Sequence, residues 1–387
     1  MRVPALVSRM RPFTSTIFAE MTALAVRTGA VNLGQGFPDT DGPPGMLATA
    51  RKAIAEGVNQ YPPGPGQPEL RAAVAEHRRR YGQDFDPDRE VLITVGATEA
   101  ITAALLALVE PGDEVVVIEP YYDSYAAAVA LSGATRRVVG LRLSDDGRFA
   151  LDVAALRAAV GPSTRAILIN SPHNPTGTVF TAGELAEIAA VCVEHDLIAI
   201  CDEVYEHLVY DGVEHIPLAT LPGMAERTLS VSSAGKSFNC TGWKIGWACG
   251  PADLVAAVRA TKQFMTFVGG APFQPAVAYA LRTELPWVDE LRDALQTKRD
   301  RLAAGLGAAG FAVQPTAGTY FICADVRPLG FTDGAEFCFA LPERIGVAAV
   351  PVQVFTDHPE PWRHLVRFAF CKRDDVLDEA IRRLANL

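Results

Sequence analysis

Two lysines share one short stretch of small and aromatic residues: Ser233-Ala-Gly-Lys236, then Thr241-Gly-Trp-Lys244-Ile-Gly246-Trp247. The chain has six lysines, at 52, 236, 244, 262, 298 and 372, so two of the six fall in this loop. An amine beside hydroxyls and a second cation suits carbonyl chemistry. Burial and the neighbouring charge lower its pKa, which makes it a nucleophile near neutral pH. Other reactive types sit at the ends of apolar runs. Asp202 follows Leu197–Cys201, where a parallel strand delivers side chains to the edge of a sheet. Asn174 lies in Ser-Pro-His-Asn-Pro-Thr-Gly (171–177), whose prolines fix the backbone. Arg367 stands inside the apolar run 364–370, where a charge is costly unless paired. Gly96, Ala97 and Thr98 follow the run Val91–Val95 and open a helical pattern. Small residues there leave backbone N–H groups free to cradle an anion. This is not a Walker loop, because no Gly-Lys-Ser/Thr follows.

These residues need a scaffold. Strand and helix patterns alternate from about 90 to 250, which predicts an α/β fold with a mostly parallel sheet between helices. Helical spacing covers 14–28, with Phe18, Met21 and Leu24 on one side. Further helices are expected at 45–57, 182–196, 251–263 and 271–310. The chain then alternates again from Gly318 as a small α+β unit closed by a final helix. The loop 31–44 (VNLGQGFPDTDGPP) and the turn 59–66 (NQYPPGPG) break regularity. Gly305, Gly307 and Gly310 spell G-x-G-x-x-G, but they end a charged helical stretch instead of following a strand. The glycines therefore read as a helix terminus, and a nicotinamide oxidoreductase is set aside.

The formal charge of −10 excludes a nucleic-acid surface, which needs clustered cations. The seven cysteines form no C-x-x-C pair and the seven histidines no H-x-x-x-H, so neither a disulfide framework nor a metal site is expected. No apolar run is long enough to span a membrane. The first nineteen residues lack acids and carry Arg2, Arg9 and Arg11, but offer too little leader to remove and no secretory core. A reducing cytoplasm fits.

Taken together, S-x-x-K with T-G-W-K-x-G-W, S-P-H-N-P-T-G, D-E-V-Y (202–205), N-L-G-x-G-x-P and R-F-A-F resemble the class I, fold type I aminotransferases that use pyridoxal 5'-phosphate. The subgroup includes kynurenine, glutamine, methionine and N-succinyldiaminopimelate aminotransferases. The resemblance covers residues 14–372 and implies a seven-stranded large domain (45–275) and a small domain built from both chain ends (1–44 with 276–387). It implies that Lys236 bears the cofactor covalently and is the catalytic base. Ser233, Lys244 and the Gly96–Thr98 turn would hold the phosphate. Tyr122 would stack on the ring, Asp202 would pair with its nitrogen, and Asn174 and Tyr205 would face its phenolic oxygen. Phe18, Gly36, Asn174 and Arg367 would contact the substrate, with Arg367 gripping the α-carboxylate as a planar two-pronged donor. Tyr61 would reach the phosphate of the second subunit of a homodimer.

Within the subgroup the chain is most similar to N-succinyldiaminopimelate aminotransferases, which use glutamate. Thr98 replaces a bulky tyrosine of the animal kynurenine enzymes, and the glycines of 267–272 (FVGGAP) replace their Phe-His; both changes open space for a long acylated substrate. No residue is assigned to a distal carboxylate; Lys262 is a cation considered for it. A broad kynurenine/glutamine/methionine aminotransferase with cysteine-conjugate β-lyase activity is the competing reading. A cofactor-binding transcription regulator would need a basic helix-turn-helix in front, which does not fit before residue 14. A non-catalytic binding module would lack some of these side chains, and none is missing.

Overall fold

The computed structural model describes residues 5–387. The main sheet contains β1 (Val91–Thr94), β2 (Glu114–Glu119), β3 (Thr135–Gly140), β4 (Thr164–Asn170), β5 (Ile198–Asp202), β6 (Thr228–Ser233) and β7 (Gly246–Cys249). Their order is β1-β7-β6-β5-β4-β2-β3. Only β7 runs against its neighbours β1 and β6; the remaining pairs are parallel. A sheet covered on both faces needs apolar side chains on both. In β4, Ala166 and Leu168 join one core with Ile101, Leu105 and Val258, while Ile167 and Ile169 join the opposite core with Leu156, Leu185 and Ile188. The period of two thus sorts one strand between two helical layers.

A second, antiparallel sheet contains β8 (Ala312–Val313), β9 (Phe321–Asp325), β10 (Val350–Pro351) and β11 (Leu365–Ala369), in the order β8-β9-β11-β10. Met21, Leu24 and Ala25 of the helix Ile17–Thr28 pack into its core with Phe337, Leu341 and Leu377. The short strand Val31–Asn32 pairs in parallel with Val347–Ala348. Both halves of the sequence therefore meet at this sheet.

The helical stretch expected over 271–310 is two helices, Phe273–Thr283 and Leu285–Ala308. The break is at Glu284 (φ −110°, ψ 16°), two residues before Pro286. A proline ring disfavours a helical residue ahead of it but is tolerated in the first turn of a new helix. Gly305 and Gly307 lie inside the second helix and Gly310 just beyond its end at φ +98°, with no strand leading in. The expected helix 14–28 begins at Ile17, because Thr16 accepts a hydrogen bond from Ala19 N–H and caps it.

Candidate active site

β1, β4, β5 and β6 point the same way, so their carboxyl ends share one edge of the sheet. That edge presents Gly96, Asn170, Asp202 and Ser233. A cavity of about 280 Å³ opens there. Phe18, Gly36, Gly96, Ala97, Thr98, Tyr122, Asn174, Asp202, Tyr205, Ser233, Lys236, Lys244 and Arg367 all line it. Tyr61 does not: it is 82% exposed and rests its ring edge-on against Phe267. Lys262 does not either. Its buried amine donates to the carbonyls of Phe267 (2.7 Å) and Gly64 (3.4 Å), tying two loops together.

Alternation along β6 turns Ser233 into the cavity, while Ser232 points to the back face and donates to Glu206 (2.6 Å). The chain then enters the short helix Ala234–Ser237, which carries Lys236. Desolvation lowers the Lys236 pKa to about 8; Cys371 and Asp202 oppose the shift, and Lys244 and Arg367 add to it. Nζ donates to the phenol oxygen of Tyr320 (3.0 Å).

Asp202 accepts from Tyr125 O–H (2.6 Å) and from Val204 N–H (3.2 Å). Burial nevertheless raises its pKa to about 6, against the pull of those two hydrogen bonds and of Lys236. A buried carboxylate held in this state is stabilised by a cationic N–H brought to it.

Lys244 adopts φ +55°, a conformation that non-glycine residues seldom take. The turn lays its amine over Gly96: a Cβ built on Gly96 (φ +75°) would stand 3.2 Å from Nζ. The helix Gly96–Leu108 starts at that point, so a cation and free backbone N–H groups converge on one anion-sized cradle. Gly246 makes the approach possible, since a Cβ there would fall 2.6 Å from the Gly96 carbonyl carbon.

Arg367 is 1% exposed and has no carboxylate partner among the described residues. It donates to Asn174 Oδ1 (2.9 Å) and to the Gly34 carbonyl (3.0 Å), and Nε is left without a partner. Its guanidinium lies 3.9 Å from the Phe321 ring centre, with Phe18 and Phe355 also close. Burial lowers its pKa, although a guanidinium remains charged. A cation held by neutral acceptors and aromatic faces is ready for an incoming anion. Asn174 is placed by Asn170, whose Oδ1 accepts from Asn174 N–H (2.7 Å) and whose Nδ2 donates to the Asp202 carbonyl (2.9 Å).

Sequence reasoning missed Tyr125, Asn170 and Tyr320 as parts of the site. Tyr125 carried a signal: it follows Tyr122 by three residues, one helical turn along Asp123–Ser132. Tyr320 directly precedes Phe321 in G-T-Y-F, but nothing in its spacing points to Lys236.

Chain spacing also hid a cluster behind the sheet. His77, His207 and Glu206, all buried, bring potential ligand atoms within 4.8 Å of one another, although no H-x-x-x-H exists. The contacts describe a hydrogen-bonded cluster. Arg80 donates to His207 Nδ1 (3.1 Å), which makes that nitrogen the acceptor and leaves the proton on Nε2, 3.0 Å from His77 Nε2. Arg78 and Ser232 occupy the Glu206 carboxylate. A metal on these nitrogens would turn His207 Nδ1–H toward a guanidinium and add positive charge beside Arg78.

The sequence profile of the class I and II aminotransferases matches residues 28–384. The chain belongs to this family and is an aminotransferase. A Mycobacterium tuberculosis protein whose name reads "Probable N-succinyldiaminopimelate aminotransferase" is 64% identical over 98% of both chains. The methionine aminotransferase of Escherichia coli is 39% identical over 98% of both. A solved structure of N-succinyldiaminopimelate aminotransferase from M. tuberculosis superposes with a TM-score of 0.97 at 65% identity, over 99% of this chain and 100% of that one.

Proposed function

We propose that this aminotransferase uses pyridoxal 5'-phosphate to exchange an amino group between N-succinyl-LL-2,6-diaminopimelate and 2-oxoglutarate, a step of lysine biosynthesis. The observation that carries the chemistry is the convergence of Lys236, Asp202, Lys244 and the counter-ion-free Arg367 on one cavity. The residues fit the cofactor. Lys244, Ser233 and the N–H groups of Ala97 and Thr98 would hold its phosphate. Tyr122 would lie against its ring and Asp202 against the ring nitrogen. Tyr205 and the free amide N–H of Asn174 would reach its phenolic oxygen. When bound, the cofactor supplies an electron sink for the charge left on the substrate α-carbon.

The chain's own groups do the rest. Arg367 and Asn174 bind the α-carboxylate, with Phe18 and the Gly36 backbone at the substrate's edge. Lys236, with its amine near pKa 8, takes the α-proton as base and returns it as acid. Identity over nearly the whole length to the M. tuberculosis relative favours the succinylated substrate. Thr98 lines the cavity and leaves room for it; Gly269 and Gly270 do not line the cavity, and their missing side chains make way for Val95 and Ile245 instead.

The same proposal includes a homodimer in which Tyr61 enters the partner's site, a cytoplasmic location, and two bodies spanning 45–275 and 1–44 with 276–387. Exposed Tyr61, Phe264 (86%) and Phe267 support the dimer. No helix among the described residues is long and apolar enough to cross a membrane.

The test mixes purified enzyme with one amino donor at a time and follows conversion of the lysine-linked cofactor to its aminated form by absorbance. Succinyl-diaminopimelate and glutamate should both react. Reaction with kynurenine, glutamine or methionine while succinyl-diaminopimelate stays inert would overturn the substrate. The Lys236→Ala variant should hold no cofactor that borohydride can fix covalently; retained attachment would overturn the role of Lys236.

A further inference from the structure

Tyr320 has no role in the chemistry described so far, yet it is the hydrogen-bond partner of the Lys236 amine. Its oxygen lies 3.0 Å from Lys236 Nζ and 2.6 Å from the Gly36 carbonyl. A carbonyl can only accept, so the single phenol proton is committed to Gly36. Toward Lys236 the phenol oxygen is then an acceptor and nothing else. Such a partner binds an N–H of the amine and cannot engage its lone pair, which is left for the cavity.

The backbone is arranged to hold this geometry. Thr319 sits at φ +66°, a conformation a β-branched residue avoids. It is fully buried there; its N–H donates to the Leu208 carbonyl (2.9 Å) and its carbonyl accepts from Tyr210 O–H. Strain at an over-determined position marks placement of the next residue. The Tyr320 ring is 1% exposed and is fixed edge-on against Tyr205 (5.2 Å) and Phe321 (4.8 Å). It stands behind Lys236, outside the residues that line the cavity.

We propose that Tyr320 is a positioning residue for Lys236: anchored on the Gly36 carbonyl, its phenol oxygen holds one N–H of the lysine and aims the lone pair into the cavity. The inference rests on the reading of Lys236 as the cofactor-bearing lysine. The other groups that face the amine are Asp202, Cys371, Lys244, Arg367 and Tyr205; all keep their identity in the test below, and Tyr205 is the one whose ring rests against Tyr320.

An acceptor stabilises the ammonium over the amine, so its loss lowers the pKa of Lys236. The readout is the rate at which the cofactor-free full-length protein takes up pyridoxal phosphate covalently, followed by absorbance against pH. In the wild type this rate should rise with pH as the amine loses its proton. In Tyr320→Phe the midpoint should fall by about half to one pH unit, and the high-pH plateau should fall by about severalfold because the neutral amine is no longer aimed. A purely structural role would change the plateau or the melting temperature and leave the midpoint in place; that result overturns the proposal. If the phenylalanine variant does not fold, 3-fluorotyrosine at 320 keeps the ring and hydroxyl but is a poorer acceptor. It should move the midpoint in the same direction by less, and an unmoved midpoint is again the overturning result. If the wild type itself takes up no cofactor covalently, the reading of Lys236 fails, which is a different outcome from an unmoved midpoint.

Discussion

Arg367 shows how one side chain can state its purpose through what it lacks. A fully buried guanidinium without a counter-ion is costly. Here two neutral acceptors and three aromatic faces hold it, with Nε still unpartnered. A substrate carboxylate would complete the set in a two-pronged pair. Lysine keeps the charge but loses the fork. Arg367→Lys should therefore raise KM for the amino donor by roughly tenfold to a hundredfold, the loss of one charge-assisted hydrogen bond, while cofactor affinity stays put. Steady-state kinetics and equilibrium dialysis separate the two. A KM unchanged within a factor of two would show that the carboxylate lies elsewhere. Asp202 and Arg367 were legible as outliers in type within apolar runs, and Lys236 and Asn174 through motifs that resemble those of the family. Tyr125 and Tyr320 were not, because an aromatic next to a strand looks the same whether it fills a core or orients a carboxylate or an amine.

The elements beneath the site explain why the loop at Lys236 keeps its place. The helix Pro68–Arg78 ends in Arg78, which is buried and paired with Glu203 (2.6 Å) and Glu206 (2.8 Å) in the segment after β5. Glu206 in turn accepts from Ser232 of β6, one residue before the cavity-facing Ser233. This lash joins distant parts of the chain, so sequence spacing could not reveal it. It also titrates. Burial holds His77 at about 4 and His207 at about 3, both far below the value of a free imidazole near 6.5. Glu206 is held well below its ordinary range: burial pushes it up, but Arg78 and the histidines outweigh that. The signs agree. A base kept neutral by folding contributes stability above its unfolded pKa, and that stability drains as pH falls toward the folded pKa. A carboxylate with a lowered pKa likewise loses its contribution as pH falls below about 4.5. Stability should be level above pH 7 and fall from pH 6.5 toward 4 by up to about 2.7 kcal/mol per pH unit for the two histidines. Urea midpoints measured from pH 8 to 5 test this, and His207→Gln should remove about one proton from the slope. A midpoint that stays level down to pH 5 would mean that the cluster is already protonated in the folded protein.

At the scale of the molecule, the α/β alternation and the α+β end unit could be read from periodicity, because hydrophobic burial dictates it strand by strand. What periodicity could not supply was the break at Glu284, which depends on one proline, or the way both chain ends share one core through Met21, Leu24 and Leu377. Nor could it say why Tyr61 is out in solvent at 82% exposure, its ring against Phe267. Exposed Tyr61 and Phe267 in contact, with exposed Phe264 three residues from Phe267 in the chain, point to a covering partner, and the proposed homodimer provides one. If Tyr61 completes the partner's site, each site draws Lys236 from one chain and Tyr61 from the other. Two inactive or impaired variants, Lys236→Ala and Tyr61→Ala, should then complement. In a mixed dimer one site receives both substitutions and the other receives neither. Equal amounts, unfolded and refolded together, should give wild-type sites at about a quarter of the total by random pairing, and activity in proportion. The control is the same two preparations mixed without refolding. Activity no higher than the average of the separate variants, with mixed dimers verified by mass, would place Tyr61 in its own subunit's chemistry or in none.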